Sequence, residues 1–234
     1  AHDGEVFDAA TWLTDQLREV GFAAEIRETE GHPMVVAHSP EDAEKTLLFY
    51  GHYDVQPGDP LSLWDNPPFE PRIEDTPDGP VIRGRGTSDD KGQLMTFVEA
   101  CRAWKAVHGE LPRGLTLLFE GEEESGSPSL VPFLEANRDE LSQSLALICD
   151  TGRAADGRPA IATQLRGLVG EEIVVRGADR DLHSGSFGGL AANPIQILCN
   201  TLATLKDDNG RVTHDLDTIV AQRCPGAVRV ADPF

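Results

Sequence analysis

Leu47–Asp54 reads LLFYGHYD, and this stretch decides the fold. An apolar run stops abruptly at His52, with Asp54 two positions later. A buried strand spends its interior on packing and keeps polar residues for its tip. Positions two apart on a strand share a face, so His52 and Asp54 are expected to project together from the strand end. One ring nitrogen of His52 is then available to a metal, while Asp54 can hold a neighbouring ligand or the ring itself. A His-x-Asp pair alone is equally what a solvated strand end looks like. The acidic clusters further along the chain shift the balance.

Two more segments repeat the pattern. LTLLFEGEEE is apolar until it runs into Glu122, Glu123 and Glu124, and LALICD is apolar until Asp150. Helices lie around them. Val6, Ala9, Ala10, Leu13, Leu17 and Val20 recur at helical spacing, with Gly21 as the expected stop. Asp90–His108 carries the stripe Leu94, Phe97, Val98, Cys101 and Trp104 and ends at Gly109. Ser129–Asn137 reads as a short helix with Pro132 in its first turn. AAEIRE and MVVAH read as short strands, and Gln56–Gly86, rich in Pro, Asp and Gly, reads as a long loop. Strands alternating with helices predict an α/β layer whose ligands bind beyond the carboxyl ends of the strands.

The composition changes near Gln164–Gly167. VGEEIVVRG then alternates as a half-exposed strand, and DLHSGSFGGLAANP reads as a Gly-rich loop. Asn193-Pro194 should cap a helix bearing Ile195, Leu198, Leu202 and Leu205 on one face. Asp207–Gly210 reads as a turn, and His214–Phe234 as one short helix and one strand. This is the opening of a second, α+β module.

A chain of 234 residues suffices for one large domain, or for one domain with a smaller companion. The 40 acidic against 20 basic residues, a net charge of −20, argue against nucleic acid or an anionic membrane surface as partner. Most of that acid is read as solvated surface. No apolar stretch approaches membrane-spanning length. Cys101, Cys149, Cys199 and Cys224 are widely spaced and form no CxxC pair, which excludes a zinc knuckle and points to reduced thiols in a cytoplasmic protein. The opening AHDGEVFDAA has neither a basic n-region nor an apolar h-region, so it is not read as a signal peptide; it also lacks an initiator Met.

His52-x-Asp54, Asp89-Asp90, Glu122–Glu124 and Asp150 would repel one another at adjacent strand ends unless a cation neutralised them. Mixed His and carboxylate ligands suit zinc, with manganese and cobalt as alternatives. Asp89 opens the strongest helix, where it could serve as an N-cap or as a carboxylate bridging two ions. Glu123 and Glu124 diverge on a loop, so one can bind metal while the other acts as general base.

GHYDVQP, WDNPPFEP, GRGTSDDKGQ, EGEEESGSP and DLHSGSFGG together resemble the motifs of the M20 family of metallopeptidases, in particular its dipeptidase branch. The resemblance runs from the first helix to about Arg211. It implies a zinc-peptidase-like catalytic domain, with a mixed sheet flanked by helices, over residues 1–163, and a partial α+β lid or dimerisation domain over residues 164–234. It implies two divalent metal ions: His52 and Asp150 on one, Asp89 bridging, and Glu124 on the other. Glu123 becomes the general base that activates a water for amide hydrolysis, and Asp54 the carboxylate that orients His52. The Asp89–Asp90 peptide is expected to be cis, and His183 to stabilise an oxyanion in the partner subunit of a homodimer formed through the lid. The substrate is then a small peptide or an N-acyl amino acid.

Two departures stand out. The family's second metal takes a further His from near the end of a longer chain, and nothing here matches it; His214 is not promoted to that role. The lid also reads as abbreviated, so the chain is read as incomplete. Three other functions compete. One is N-acyl-amino-acid deacylation by the same chemistry, and another is a non-catalytic metal-binding fragment. The third is an aspartic protease built on Asp150-Thr151-Gly152, which would need a second such carboxylate.

Overall fold

The structure is a computed structural model that describes residues 3–40, 45–111, 114–152, 154, 157–165, 167, 172–212 and 228–230. It divides into two units, residues 1–162 and 163–234.

In the first unit, helix α1 (Asp3–Val20) lays Ala10, Leu13 and Leu17 into the core. It ends where Gly21 adopts φ 100°, a conformation that costs glycine little. The Phe22 N–H then bonds back to the Leu17 carbonyl at 3.0 Å. Strands β1 (Ala23–Arg27), β2 (Met34–His38) and β3 (Lys45–His52) follow. Next comes a hairpin of β4 (Arg72–Thr76) and β5 (Gly79–Arg83), then helix α2 (Lys91–His108) and strand β6 (Gly114–Glu120). Helices α3 (Leu130–Ala136) and α4 (Arg138–Leu141) lead to strand β7 (Leu145–Ile148).

One sheet of five strands runs β1-β2-β6-β3-β7. It is mixed: β1, β2 and β6 pair antiparallel, whereas β3 lies parallel to both β6 and β7. Alternation along the strands feeds two cores. Val35, Ala37, Phe49, Leu115, Leu117 and Phe119 pack with α1 and α2 on one face. Met34, Val36 and Leu118 pack with α3 and α4 on the other. Covered on both faces, β6 is buried along its whole length. Phe49 stacks on Phe97 of α2 at 3.9 Å between ring centroids and meets Phe119 edge-on at 5.9 Å.

Three expectations are corrected. The segment read as loop from Gln56 to Gly86 contains the β4–β5 hairpin, with Ile73 opposite Ile82. Both of those side chains are exposed, so the hairpin left no core periodicity to read. Trp104 is also exposed and lies beside the His108 ring, 4.4 Å between centroids and tilted by 38°, instead of completing the α2 stripe. In the second unit, the segment read as a Gly-rich loop holds a short helix, α5 (Ser184–Phe187).

Among the described residues of the second unit are also β8 (Glu172–Val174), α6 (Pro194–Leu202) and β9 (Val228–Val230), with β8 and β9 antiparallel. Asn193 caps α6 as expected, its side chain accepting from the Ile195 and Gln196 N–H groups. The Asp207–Gly210 turn forms, with Asp207 Oδ1 accepting from the Asn209 and Arg211 N–H groups at 2.9 Å. His214, Cys224 and the helix expected after His214 lie outside the described residues. No helix among the described residues is long and apolar enough to cross a membrane.

Candidate metal centre

Parallel pairing brings the carboxyl ends of β3, β6 and β7 side by side, and the site stands there. His52, fully buried, is the last residue of β3. Its backbone N–H donates to Asp90 Oδ2 at 3.1 Å, and its Nδ1 meets Asp54 Oδ1 at 3.1 Å. Asp90 comes this close because Gly51 is bare: a Cβ there would stand 2.9 Å from Asp90 Oδ2. When the neutral ring donates Nδ1–H to Asp54, its Nε2 lone pair is the one that can bind a metal.

Nε2 faces the carboxylates. It lies 3.2 Å from Asp89 Oδ1 and 3.8 Å from both Glu123 Oε2 and Asp150 Oδ2. The Asp89–Asp90 peptide, which joins the hairpin segment to α2, is cis, as the family resemblance implied. Beyond β6 the chain makes a single 3₁₀ turn, Glu123–Ser125. Asp54 fixes that turn as well as the ring: its two oxygens accept the Glu123 N–H at 3.2 Å and the Glu124 N–H at 3.0 Å. Asp150 follows two residues after β7.

The electrostatics are those of a crowded acid cluster. Burial works against a charged His52, but the hydrogen bond and charge of Asp54, with Asp90 and Glu123 behind it, push its pKa up to about 9. Burial, then the charges of Asp150 and Asp89, raise Asp90 to about 6 against the opposing pull of His52. Glu123 is raised by burial and by Glu124, Asp150 and Asp54, again against His52. Asp150 is raised by burial and by Asp89. Burial is the first cause of each rise, and the neighbouring carboxylates add to it.

The donors fit a divalent ion. Two sets, His52 with Glu123 and Asp150, and His52 with Asp89 and Glu124, each bring one ligand atom per residue within 4.8 Å of the others. His52 belongs to both. Asp89, Glu123, Glu124 and Asp150 therefore stand at one place with His52, whereas Glu122, singled out with them, turns instead towards Gly31. Asp150 stands with His52 and the other carboxylates, in an arrangement suited to a metal. His183 precedes α5 in the second unit.

The structure adds residues that the sequence did not single out for these roles. Gln56 Nε2 donates to Glu124 Oε2 at 2.7 Å and to the Glu124 carbonyl at 3.2 Å. Glu120, fully buried, accepts from the Tyr50 hydroxyl and, at 2.9 Å, from Ser127, which braces the turn from beneath. Burial drives the Glu120 pKa up. A Glu in the last position of an otherwise apolar strand was the available signal for it.

The Peptidase family M20/M25/M40 model matches residues 48–227, and the chain belongs to that family. Among curated relatives, it is 32% identical to the Cys-Gly metallodipeptidase of Saccharomyces cerevisiae, over 93% of this chain and 48% of that protein. It is 33% identical to the human Beta-Ala-His dipeptidase, over 77% of this chain and 35% of that protein. Among solved structures, the M20 family metallo-carboxypeptidase of Sulfolobus solfataricus superposes with a TM-score of 0.70 at 35% identity, covering 88% of this chain and 46% of that one. The chain thus spans about half the length of these relatives or less.

Proposed function

We propose that this chain carries the water-activating part of a two-metal peptidase that cleaves the amide bond of dipeptides. The observation that supports it most is the convergence of His52 Nε2 with carboxylates from three other segments. The dipeptidases among its relatives favour a small peptide substrate over an N-acyl amino acid.

In this reading His52, Asp89, Glu124 and Asp150 would hold the two ions, His52 and Asp150 on one, Glu124 on the other and Asp89 shared between them. Bound zinc, or manganese or cobalt in its place, would acidify a water and polarise the scissile carbonyl. Glu123 takes the proton from the attacking water and returns it to the leaving amine, a task suited to a carboxylate held above its ordinary pKa by burial and its neighbours. Asp54 keeps the His52 ring in the tautomer that offers Nε2 and keeps the Glu123–Glu124 turn in place. His183 stabilises the developing oxyanion across a homodimer formed through the second unit.

Two substitutions test these roles. Glu123→Gln should lower Cys-Gly hydrolysis by about 10²–10⁴-fold while metal content, measured by atomic absorption, stays near that of the parent. His52→Ala should lose metal. Full activity in Glu123→Gln would remove the base assignment. Failure of the parent protein to hold any divalent ion would favour a non-catalytic remnant.

A further inference from the structure

His52, Asp54 and Gln56 stand at alternate positions of one short stretch, and all three bond into the cluster. The first two have roles in the proposed function; Gln56 has none. It is exposed, yet one nitrogen of its amide makes two bonds to a single residue. Nε2 donates to Glu124 Oε2 at 2.7 Å and to the Glu124 carbonyl at 3.2 Å. Both partners only accept, so the amide must turn its nitrogen, not its oxygen, towards them. A shared donor thus ties the Glu124 carboxylate to the Glu124 backbone and restrains every side-chain torsion between the two.

Gln56 is itself held on both sides. Pro57 follows it and steers the Gln56 backbone to extended conformations. The Pro57 carbonyl accepts from Arg85 Nη2 at 3.3 Å, and the Arg85 guanidinium lies 5.2 Å from the centre of the Trp64 ring. On the other side Val55 stands against the bare Cα of Gly86, where a Cβ would fall 2.3 Å from Val55 Cγ1. Glu124 is the candidate ligand in most need of such support. It sits on a single 3₁₀ turn and has one more side-chain torsion than Asp89 or Asp150. A side chain ordered in advance pays less entropy when it binds. Asp54 holds the Glu124 N–H at 3.0 Å, and Gln56 holds the carbonyl and the carboxylate. We propose that Gln56 is a positioning residue of the metal centre, which orders the Glu124 carboxylate for the ion that Glu124 helps to hold. The proposal rests on the two-metal reading, since it requires Glu124 to be a ligand.

The test is a zinc titration of the whole metal-free protein, followed by competition with a chelating indicator. It compares the parent, Gln56→Met, Glu124→Ala and the double variant. Methionine keeps the length of the glutamine side chain and removes the donor, and circular dichroism checks that the fold is retained. The binding step that Glu124→Ala weakens or abolishes marks the ion held by Glu124. Gln56→Met should weaken that same step about 10–100-fold and leave any other step unchanged. In the Glu124→Ala background it should change nothing further, because a residue that acts through Glu124 has nothing left to act on. Unchanged affinity in Gln56→Met, equal loss at two separate steps, or a further loss in the double variant would each overturn the proposal and leave the two-metal reading standing. A parent that binds no zinc, or whose binding Glu124→Ala leaves untouched, would overturn that reading and the proposal with it.

Discussion

Asp54 shows how one side chain can serve two elements of a site. One oxygen meets His52 Nδ1, and the two together accept from the turn that presents Glu123 and Glu124. Its link to the ring was legible in the sequence, because positions two apart on a strand share a face. Its link to the turn was not, because backbone N–H groups carry no residue signature and the contact spans about seventy positions. The hydrogen bonds of Gln56 to Glu124 and of Asp90 to the His52 N–H escaped for the same reason: each acts on a neighbour set by the fold. Asp54→Asn leaves the side-chain volume intact but substitutes an amide nitrogen for one acceptor. It should cost about 10–100-fold in metal affinity, the usual effect of losing a carboxylate that orients a ligating His. A metal titration at constant pH, beside a circular dichroism spectrum showing retained fold, checks this. Unchanged affinity would mean that the ring and the turn hold themselves in place.

At the scale of elements, what could be read was what repeats. Helices α1 and α2 announced themselves because one-sided burial imposes a period on their side chains, and the central strands because burial on both faces makes them apolar runs. The β4–β5 hairpin did not, although Pro77-Asp78-Gly79 is a turn signal and Gly79 adopts φ 113° there. The tie between β1 and α4 was equally silent. Arg27 donates two hydrogen bonds to Glu140, each 2.7 Å, and His38 Nε2 lies 2.7 Å from the same carboxylate. Arg27 foremost holds the Glu140 pKa down at about 2 against burial, the next largest influence, and His38 adds to the depression. A carboxylate depressed in the folded state stabilises above its unfolded pKa and loses that contribution as pH falls through the folded one. The window here runs from about 4.5 down to about 2. Arg27→Met should therefore destabilise by about 1 kcal/mol at pH 7, the scale of a partly exposed pair. The gap between variant and parent should close as urea unfolding is repeated towards pH 2, and a gap independent of pH would point to lost packing instead. A core substitution gives the contrast: Leu117→Ala, on the doubly covered strand β6, should cost about 2–5 kcal/mol at any pH where the protein folds.

Over the whole molecule, the net charge of −20 and the cluster at the strand ends set one condition for stability. Fold class was legible here because alternating strands and helices allow few layer arrangements. Family membership was legible because five short motifs keep their order. How the candidate metal donors group around His52 was not legible, since which carboxylate nears which depends on where each turn leaves its strand. The consequence is linkage. A ligand that binds only the folded chain stabilises it by RT ln(1 + [L]/Kd), about 2.7 kcal/mol at a hundredfold excess over Kd. Zinc should therefore raise the thermal midpoint of the metal-free protein, and EDTA should reverse the gain. Sodium chloride should raise the midpoint of the metal-free form more than that of the loaded form, because salt screens a repulsion that the ion has already neutralised. His52→Ala removes the donor common to both ligand sets, so it should abolish the zinc response yet keep the salt response. A zinc shift that persists in His52→Ala would place the ion elsewhere on this acidic surface, and differential scanning fluorimetry on parent and variant distinguishes the two outcomes.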